Sequence, residues 1–273
     1  MAITSSDFEF VSAVIRQDSA IVLERGKEYL VESRLAPVAR NHGFAGLDEL
    51  VQRLRQPGST TLRTQVVEAL TTNETSFFRD VEPFELLRTT ILPELIQRRA
   101  DRRQLTIWCA ASSTGQEPYS VAMLLRDHFP QLNDWKLTFI ATDISKDVLE
   151  RARAGKFSQL EVNRGLPITY LVKYFETVGT DFQLKSDIRK MIRFEEFNLI
   201  KPFTTLPELD IVMIRNVLIY FDVPTKREIL AKIRKLLRPD GFLLLGAAET
   251  TLNIDENFVR RAVGKASCYQ RKP

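Results

Sequence analysis

The chain has 273 residues, 44% of them hydrophobic and 27% charged, with a formal net charge of +4. That length buries a substantial core and divides into one large domain or two smaller ones. The 39 basic and 35 acidic residues are interspersed, which excludes the basic stripe that wholesale nucleic-acid binding needs. Cys109, Cys268, His42 and His128 show no metal-ligand spacing, and both cysteines sit in apolar stretches as reduced core thiols would. No apolar run approaches the roughly 18 residues of a membrane span. Met1 to Phe10 lacks the basic and apolar regions of a signal peptide, so a cytoplasmic protein without membrane insertion is expected.

Residues 1–70 read as an all-α domain. "SSDFEFVSAVI" places serine ahead of helically spaced Phe8, Val11, Val14 and Ile15. "RGKEYLVESRLAPVARNHGF" is a second amphipathic stretch, in which Pro37 should kink or split the helix and His42-Gly43 should stop it. "LDELVQRLRQPGS" and "TLRTQVVEALTTN" are a third and a fourth. This region holds eight basic and nine acidic residues, so it presents no basic face for RNA.

From about residue 81 the pattern changes. A helical "VEPFELLRTTILPELIQRRA" leads into the strand "LTIWCAA", the helix "EPYSVAMLLRDHF", the strand "KLTFIATDIS" and the helix "KDVLERARAG". "ELDIVMIRN", "PTKREILAKIRKLL" and "GFLLLGAAE" continue the alternation. This predicts an α/β fold: a doubly wound, mostly parallel sheet with helices on both faces. "ENFVRRAVG" and "ASCYQRK" have no helix between them and predict an antiparallel edge hairpin. Residues 156–197 are too long for a simple connection and read as a small inserted β-subdomain. The expected organisation is a helical domain over 1–70, a linker over 71–83 that contributes to the site, and an α/β domain over 84–273.

In an open parallel sheet, ligands bind outside the carboxyl ends of the strands. The first such end is "CAASSTGQEPYS", whose small residues let backbone approach a ligand. It has one glycine, Gly115, and Glu117 stands where a phosphate site would want lysine. A carboxylate there repels phosphate and attracts an ammonium group; the plain alternative is a tight turn without a ligand. Asp143 ends the next strand, where an acidic residue holds a ribose diol; the alternative is an N-cap for the following helix. Together the two ends suit a nucleoside without phosphates and with an amine, which fits S-adenosylmethionine. Asn198, after Ile192, Phe194 and Phe197, is placed to read an adenine edge or simply to turn the chain. Arg215-Asn216 breaks an apolar segment, and buried polar groups of that kind need an ion pair or a ligand. Tyr220, four residues on, is either a core tyrosine or a hydroxyl offered to the site. "TTNETSFFRD" at 71–80 is either a helix-end cap or a segment roofing the pocket.

In this order and spacing, "TTNETSFFRD", "WCAASSTGQEPYS", "ATDIS" and "RNVLIYFD" resemble the chemotaxis receptor methyltransferases, the CheR family, over nearly the whole chain. The resemblance implies a class I S-adenosylmethionine-dependent methyltransferase fold with a small N-terminal all-α domain and an inserted β-subdomain. It implies a protein-glutamate O-methyltransferase that esterifies glutamates in the cytoplasmic methylation region of chemoreceptors and releases S-adenosylhomocysteine, with no metal. Carried over by motif, Asn73, Thr75 and Arg79 cover the cofactor, Glu117 meets its ammonium and Asp143 its ribose. Asn198 and Leu199 meet its adenine, and Arg215 and Asn216 add further contacts; Arg79 and Tyr220 stand nearest the transferred methyl.

The chain departs from the family's usual wording at Ala111-Ser112, where Gly-Cys is common, and at Gln116, where glutamate is common. Pro37 falls in the helix that carries Arg34 and Arg40, which the family lays against the receptor. The short turn around "TVGTDF" predicts independence from a receptor C-terminal pentapeptide tether. A monomer is expected. The alternatives are a noncatalytic S-adenosylmethionine-sensing or interaction module on the same fold, and a methyltransferase acting on RNA or a small molecule.

Overall fold

The computed structural model describes residues 3–272. The chain forms two compact units, one made of residues up to Thr72 with Tyr220–Lys226, the other of Asn73–Ile219 with the rest of the chain.

The first unit is helical. α1 (Ser5–Ser19) starts at Thr4, whose hydroxyl accepts from the Asp7 N–H at 3.2 Å, and ends at Ala20 in the left-handed region. α2 (Glu28–Asn41) runs through Pro37 as one helix, so the expected split does not occur. Pro37 and Ser33, the residue whose carbonyl loses its partner, both face solvent, while Val31, Leu35 and Ala39 bury the opposite face. Water can take the orphaned carbonyl, and the packed stripe holds the helix together. α3 (Leu47–Arg55) and α4 (Thr60–Leu70) bury Leu50, Leu54, Val66 and Leu70. Arg34 donates to the carbonyls of Leu70 and Thr71 at 3.0 and 2.8 Å, closing the C-terminal end of α4. Tyr220 belongs to this unit, its carbonyl accepting the Val22 N–H at 2.9 Å.

The second unit opens with α5 (Glu82–Leu86), one π turn over Leu87–Ile91, and α6 (Leu92–Arg98). Pro93 has no N–H for the preceding turn and crowds its carbonyls; the wider π turn just ahead absorbs it. Then follow β1 (Gln104–Ala110), α7 (Gln116–His128), β2 (Lys136–Asp143), α8 (Lys146–Ala154) and β3 (Lys156–Ser158). Next come α9 (Gln159–Asn163), α10 (Ile168–Tyr174), β4 (Phe175–Val178), β5 (Asp181–Leu184) and α11 (Ser186–Arg189). The chain closes with β6 (Arg193–Glu196), β7 (Leu209–Ile214), α12 (Val223–Leu236), β8 (Leu237–Leu245), β9 (Phe258–Val263) and β10 (Ala266–Arg271).

Seven strands form one sheet in the order β6-β2-β1-β7-β8-β10-β9. The first five are parallel, and β10 runs antiparallel to both β8 and β9. This is the class I methyltransferase α/β fold with its antiparallel edge hairpin. Ile107, Trp108 and Cys109 on β1 and Ile211, Val212 and Met213 on β7 are fully buried, as strands covered on both faces must be. β3, β5 and β4 make the separate antiparallel sheet of the insert. β6 pairs with β2 instead, so the tail of the 156–197 stretch belongs to the main sheet. A four-residue strand with one buried side chain carries too little periodicity to reveal this.

Chain order reverses at β1, which has β2 on one side and β7 on the other. The carboxyl ends of four neighbouring strands, β6, β2, β1 and β7, therefore converge on one crevice mouth.

Candidate active site

The turn after β1 supplies the floor. Ala111, Ser113 and Gly115 have φ of 53°, 49° and 94°. The two non-glycine residues each give up about 1 kcal/mol to sit there. At Gly115 a Cβ would also meet Tyr119 at 3.0 Å and Ala152 at 3.1 Å, so glycine is required on two counts. The Ser112 N–H donates to the Thr142 carbonyl at 2.9 Å, fixing the turn against β2. The Ser112 hydroxyl is buried and has no hydrogen-bond partner among the described residues.

Glu117 stands in the first turn of α7 and takes Arg215 Nη1 at 2.7 Å through Oε2. Arg215 Nη2 reaches the Arg79 carbonyl at 2.9 Å and Asp80 Oδ2 at 2.7 Å. The Arg215 side chain is 1% exposed, and its Nε is the second buried orphan of this site. This group sets two carboxylates, Glu117 and Asp80, against the one guanidinium they share. Burial pushes the Glu117 carboxyl up from its ordinary pKa, while Arg215 pulls it down and Glu249 and Arg79 act with opposite signs. A second cation beside Glu117 would relieve that cost.

Asp143 closes β2. Its Oδ2 accepts the Ser113 N–H at 2.9 Å and its Oδ1 the Ser145 N–H at 3.0 Å. Ser145, not Asp143, caps α8, its hydroxyl accepting from Val148. The Ile144 N–H also bonds this carboxylate, and with three backbone donors engaged it keeps acceptor capacity for a further donor such as a ribose hydroxyl. Burial raises its pKa, and the backbone N–H groups oppose the rise. The Phe197 N–H donates to the Asp143 carbonyl at 2.8 Å, tying the end of β6 to that of β2. Asn198 turns the chain there, its Oδ1 accepting from Ile200 at 3.2 Å, and the Leu199 carbonyl takes Lys232 Nζ at 2.7 Å.

Residues 73–80 lie against the same turn. Ser113 Oγ donates to the Asn73 carbonyl at 2.7 Å, and the Phe78 N–H donates to Ser120 Oγ at 3.0 Å. Phe77 is fully buried, edge-on to Phe157 and Phe175. Thr75 and Arg79 are half-buried, with Arg79 Nη1 on the Glu74 carbonyl at 3.1 Å. Phe78, Asp80 and Val81 have φ of 47°, 68° and 46°, an unusual cluster of left-handed side-chain residues. Asn216, with φ of 58°, carries its N–H to Glu249 Oε2 at 2.8 Å. Beside it lies a cavity of about 910 Å³ lined in part by Asp80, Gly246, Glu249 and Tyr269.

Contacts thus link Asn73, Arg79, Glu117, Asp143, Arg215 and Asn216 around the strand ends, with Asn198 and Leu199 following β6. Tyr220 is half-buried and falls in the helical unit. Sequence reasoning overlooked Asp80 and Glu249. Asp80 stood inside a motif already singled out, and Glu249 follows a strand-end glycine, where an acid reads as an ordinary turn residue. Among the described residues no cluster of His, Cys, Asp and Glu could hold a metal, and no helix is long and apolar enough to cross a membrane.

Comparison with known proteins adds to this geometry. Residues 73–265 match the family described as "CheR methyltransferase, SAM binding domain", and residues 6–71 match "CheR methyltransferase, all-alpha domain". The chain is 41% identical over 278 residues to "Chemotaxis protein methyltransferase 1" of Pseudomonas aeruginosa, covering 100% of both chains. It is 38% identical to "Chemotaxis protein methyltransferase Cher2" of Pseudomonas putida, again over 100% of both. It is also 38% identical to "Chemotaxis protein methyltransferase" of Vibrio parahaemolyticus, over 94% of each.

Proposed function

The chain belongs to the CheR methyltransferase family, whose cofactor is S-adenosylmethionine, and we propose that it esterifies glutamate side chains of chemoreceptors. The observation that carries the site assignment is the pairing of an incompletely neutralised Glu117–Arg215–Asp80 group with a ribose-competent Asp143 on neighbouring strand ends. The orphaned Ser112 Oγ and Arg215 Nε are further unmet polar capacity in the same place. The residues present therefore fit the cofactor.

S-adenosylmethionine supplies an electrophilic methyl on a sulfonium cation. Glu117 receives the ammonium, Asp143 the ribose diol, and Asn198 with Leu199 the adenine edge. Arg215 and Asn216 complete the cradle, and the linker 71–83 brings Asn73, Thr75 and Arg79 over it. The nucleophile is a glutamate carboxylate with a reference pKa of about 4.3, so it is ionised at neutral pH and needs no general base. The chain has instead to desolvate and aim it. Arg79 steers the incoming carboxylate through charge-assisted hydrogen bonds, and Tyr220 orients it. Both charges vanish in the reaction, so Arg79 must hold the ground-state carboxylate only loosely.

The enzyme acts in the cytoplasm as a monomer and does not need a receptor pentapeptide tether. The support for the last point is the tight β4–β5 hairpin, in which Val178 pairs with Asp181 across Gly179-Thr180, leaving no extended loop. The test of activity is transfer from tritiated S-adenosylmethionine to receptor-rich membranes. Base-labile label on receptors is expected; base-stable label, or none, would overturn the assignment. Titration with a receptor tail peptide is expected to show no binding in the micromolar range, and micromolar binding would overturn tether independence.

A further inference from the structure

Glu249 gathers four backbone N–H groups in one carboxylate. Oε2 accepts from Asn216 at 2.8 Å and Gly246 at 2.7 Å, and Oε1 accepts from Val217 at 2.9 Å and Leu218 at 2.7 Å. The segment it grips begins at Asn216, whose left-handed backbone has φ of 58° and persists only if its surroundings hold it. Gly246 closes the other side. A Cβ there would lie 2.7 Å from Glu249 Oε2, 2.8 Å from the Asn216 N and 2.9 Å from Asn216 Nδ2. No side chain other than hydrogen fits between the clamp and the asparagine.

We propose that Glu249 is a positioning residue for methyl transfer, holding the Asn216–Leu218 backbone so that Arg215 and Asn216 are presented to S-adenosylmethionine. The proposal rests on the cofactor roles given to Arg215 and Asn216 above. The demand on residue 249 is specific. Four donors converge, so both side-chain termini must be acceptors. Glutamine keeps the shape but turns one terminus into a donor facing N–H groups, and aspartate keeps the charge but falls one methylene short. Charge-assisted hydrogen bonds of this kind are the strong ones, so their loss at the cofactor wall is felt in binding.

The experiment pairs steady-state kinetics with calorimetry of S-adenosylhomocysteine on the full-length protein. Glu249→Gln should raise the KM for S-adenosylmethionine and the Kd of the product roughly tenfold or more, with the receptor KM within about twofold. Gly246→Ala should do the same with every carboxylate intact, and it decides the matter if Glu249→Gln does not fold. Adding Asn216→Ala to Glu249→Gln should cost less than the sum of the two, because both act through one contact. Glu208→Gln, an exposed carboxylate just before β7 at the amino end of the sheet, should leave both cofactor constants unchanged. Wild-type cofactor KM and Kd in folded Glu249→Gln would overturn the proposal, as would a rise confined to the receptor KM. Asn216→Ala alone separates the two layers. If it weakens cofactor binding and Glu249→Gln does not, only the positioning role fails; if Asn216→Ala has no effect, the cofactor reading fails beneath it.

Discussion

The two ends of the main sheet use the same residue types to opposite purposes. At the amino end, Arg99 donates to Asp210 through Nε at 3.0 Å and to Asp240 through both terminal nitrogens at 2.8 and 2.7 Å. Asp210 also accepts the Thr106 N–H at 2.8 Å and pairs with Arg238 at 3.4 Å. Arg99 holds the Asp240 carboxyl below its usual range, as a well-paired acid should be. At the carboxyl end, Arg215 leaves Nε unpartnered, Glu117 is pushed upward by burial, and Ala111, Ser113 and Asn216 sit in the left-handed region. The saturated cluster ties strands together. The unsaturated, strained one is incomplete without a ligand. Arg103, with φ of 48°, is left-handed at the amino end too, and Ser12 Oγ and Arg126 Nε are buried orphans elsewhere, so it is the coincidence of orphaned atoms with several left-handed residues that sets the carboxyl end apart.

The largest effect that would sharpen this contrast belongs to the amino end. Arg99→Ala leaves Asp210 buried without its main partner and should cost about 3 kcal/mol or more of unfolding free energy. Denaturant melts would show this, while product affinity per folded molecule stays near wild type. Glu117→Gln should reverse the pattern: a loss of about 2 kcal/mol or more in S-adenosylhomocysteine binding by calorimetry, with little loss of stability. Equal stability losses at the two ends would break the comparison.

Turnover comes next. Arg79→Ala and Tyr220→Phe should lower kcat by roughly tenfold or more, a larger loss than the loss in cofactor affinity, as expected of groups that serve the transition state. Wild-type kcat in both would remove them from the reaction. A pH series refines the Glu117 assignment. Burial keeps its carboxyl protonated to higher pH than an ordinary glutamate, and only the ionised form attracts an ammonium. Product affinity should therefore rise with pH through a window above about 4.3. That rise should flatten in Glu117→Gln, and an unchanged slope would assign the titration elsewhere. The smallest effect is Ala111→Gly. With φ of 53°, the alanine is strained, and glycine should stabilise the fold by about 0.5 kcal/mol or more.

Much of the architecture was legible because periodicity and punctuation agree. The alternating strands and helices, the hairpin without a crossover and the helical first 70 residues all carry local signals. Pro37 does not split its helix because both residues it disturbs face water, although the local rule allows a break as well as a kink. Pro93 signals a disturbed helix without saying that a π turn will absorb it, and the membership of β6 in the main sheet depends on packing that no local pattern encodes. At the site, Glu117 and Asp143 were visible as acids at strand ends. The partner of Glu117 was not, since Arg215 lies 98 residues away in sequence and only the fold brings it near. Glu249 was invisible for a related reason: its four partners are backbone N–H groups, which every residue but proline carries.

The central claim is that the carboxyl ends of the parallel strands hold S-adenosylmethionine through their side chains. Calorimetric titration of S-adenosylhomocysteine into wild type, Asp143→Ala and Asp240→Asn tests it most directly. One site per chain is predicted for wild type, binding at least tenfold weaker in Asp143→Ala, and wild-type affinity in folded Asp240→Asn. Unchanged affinity in Asp143→Ala would contradict the account.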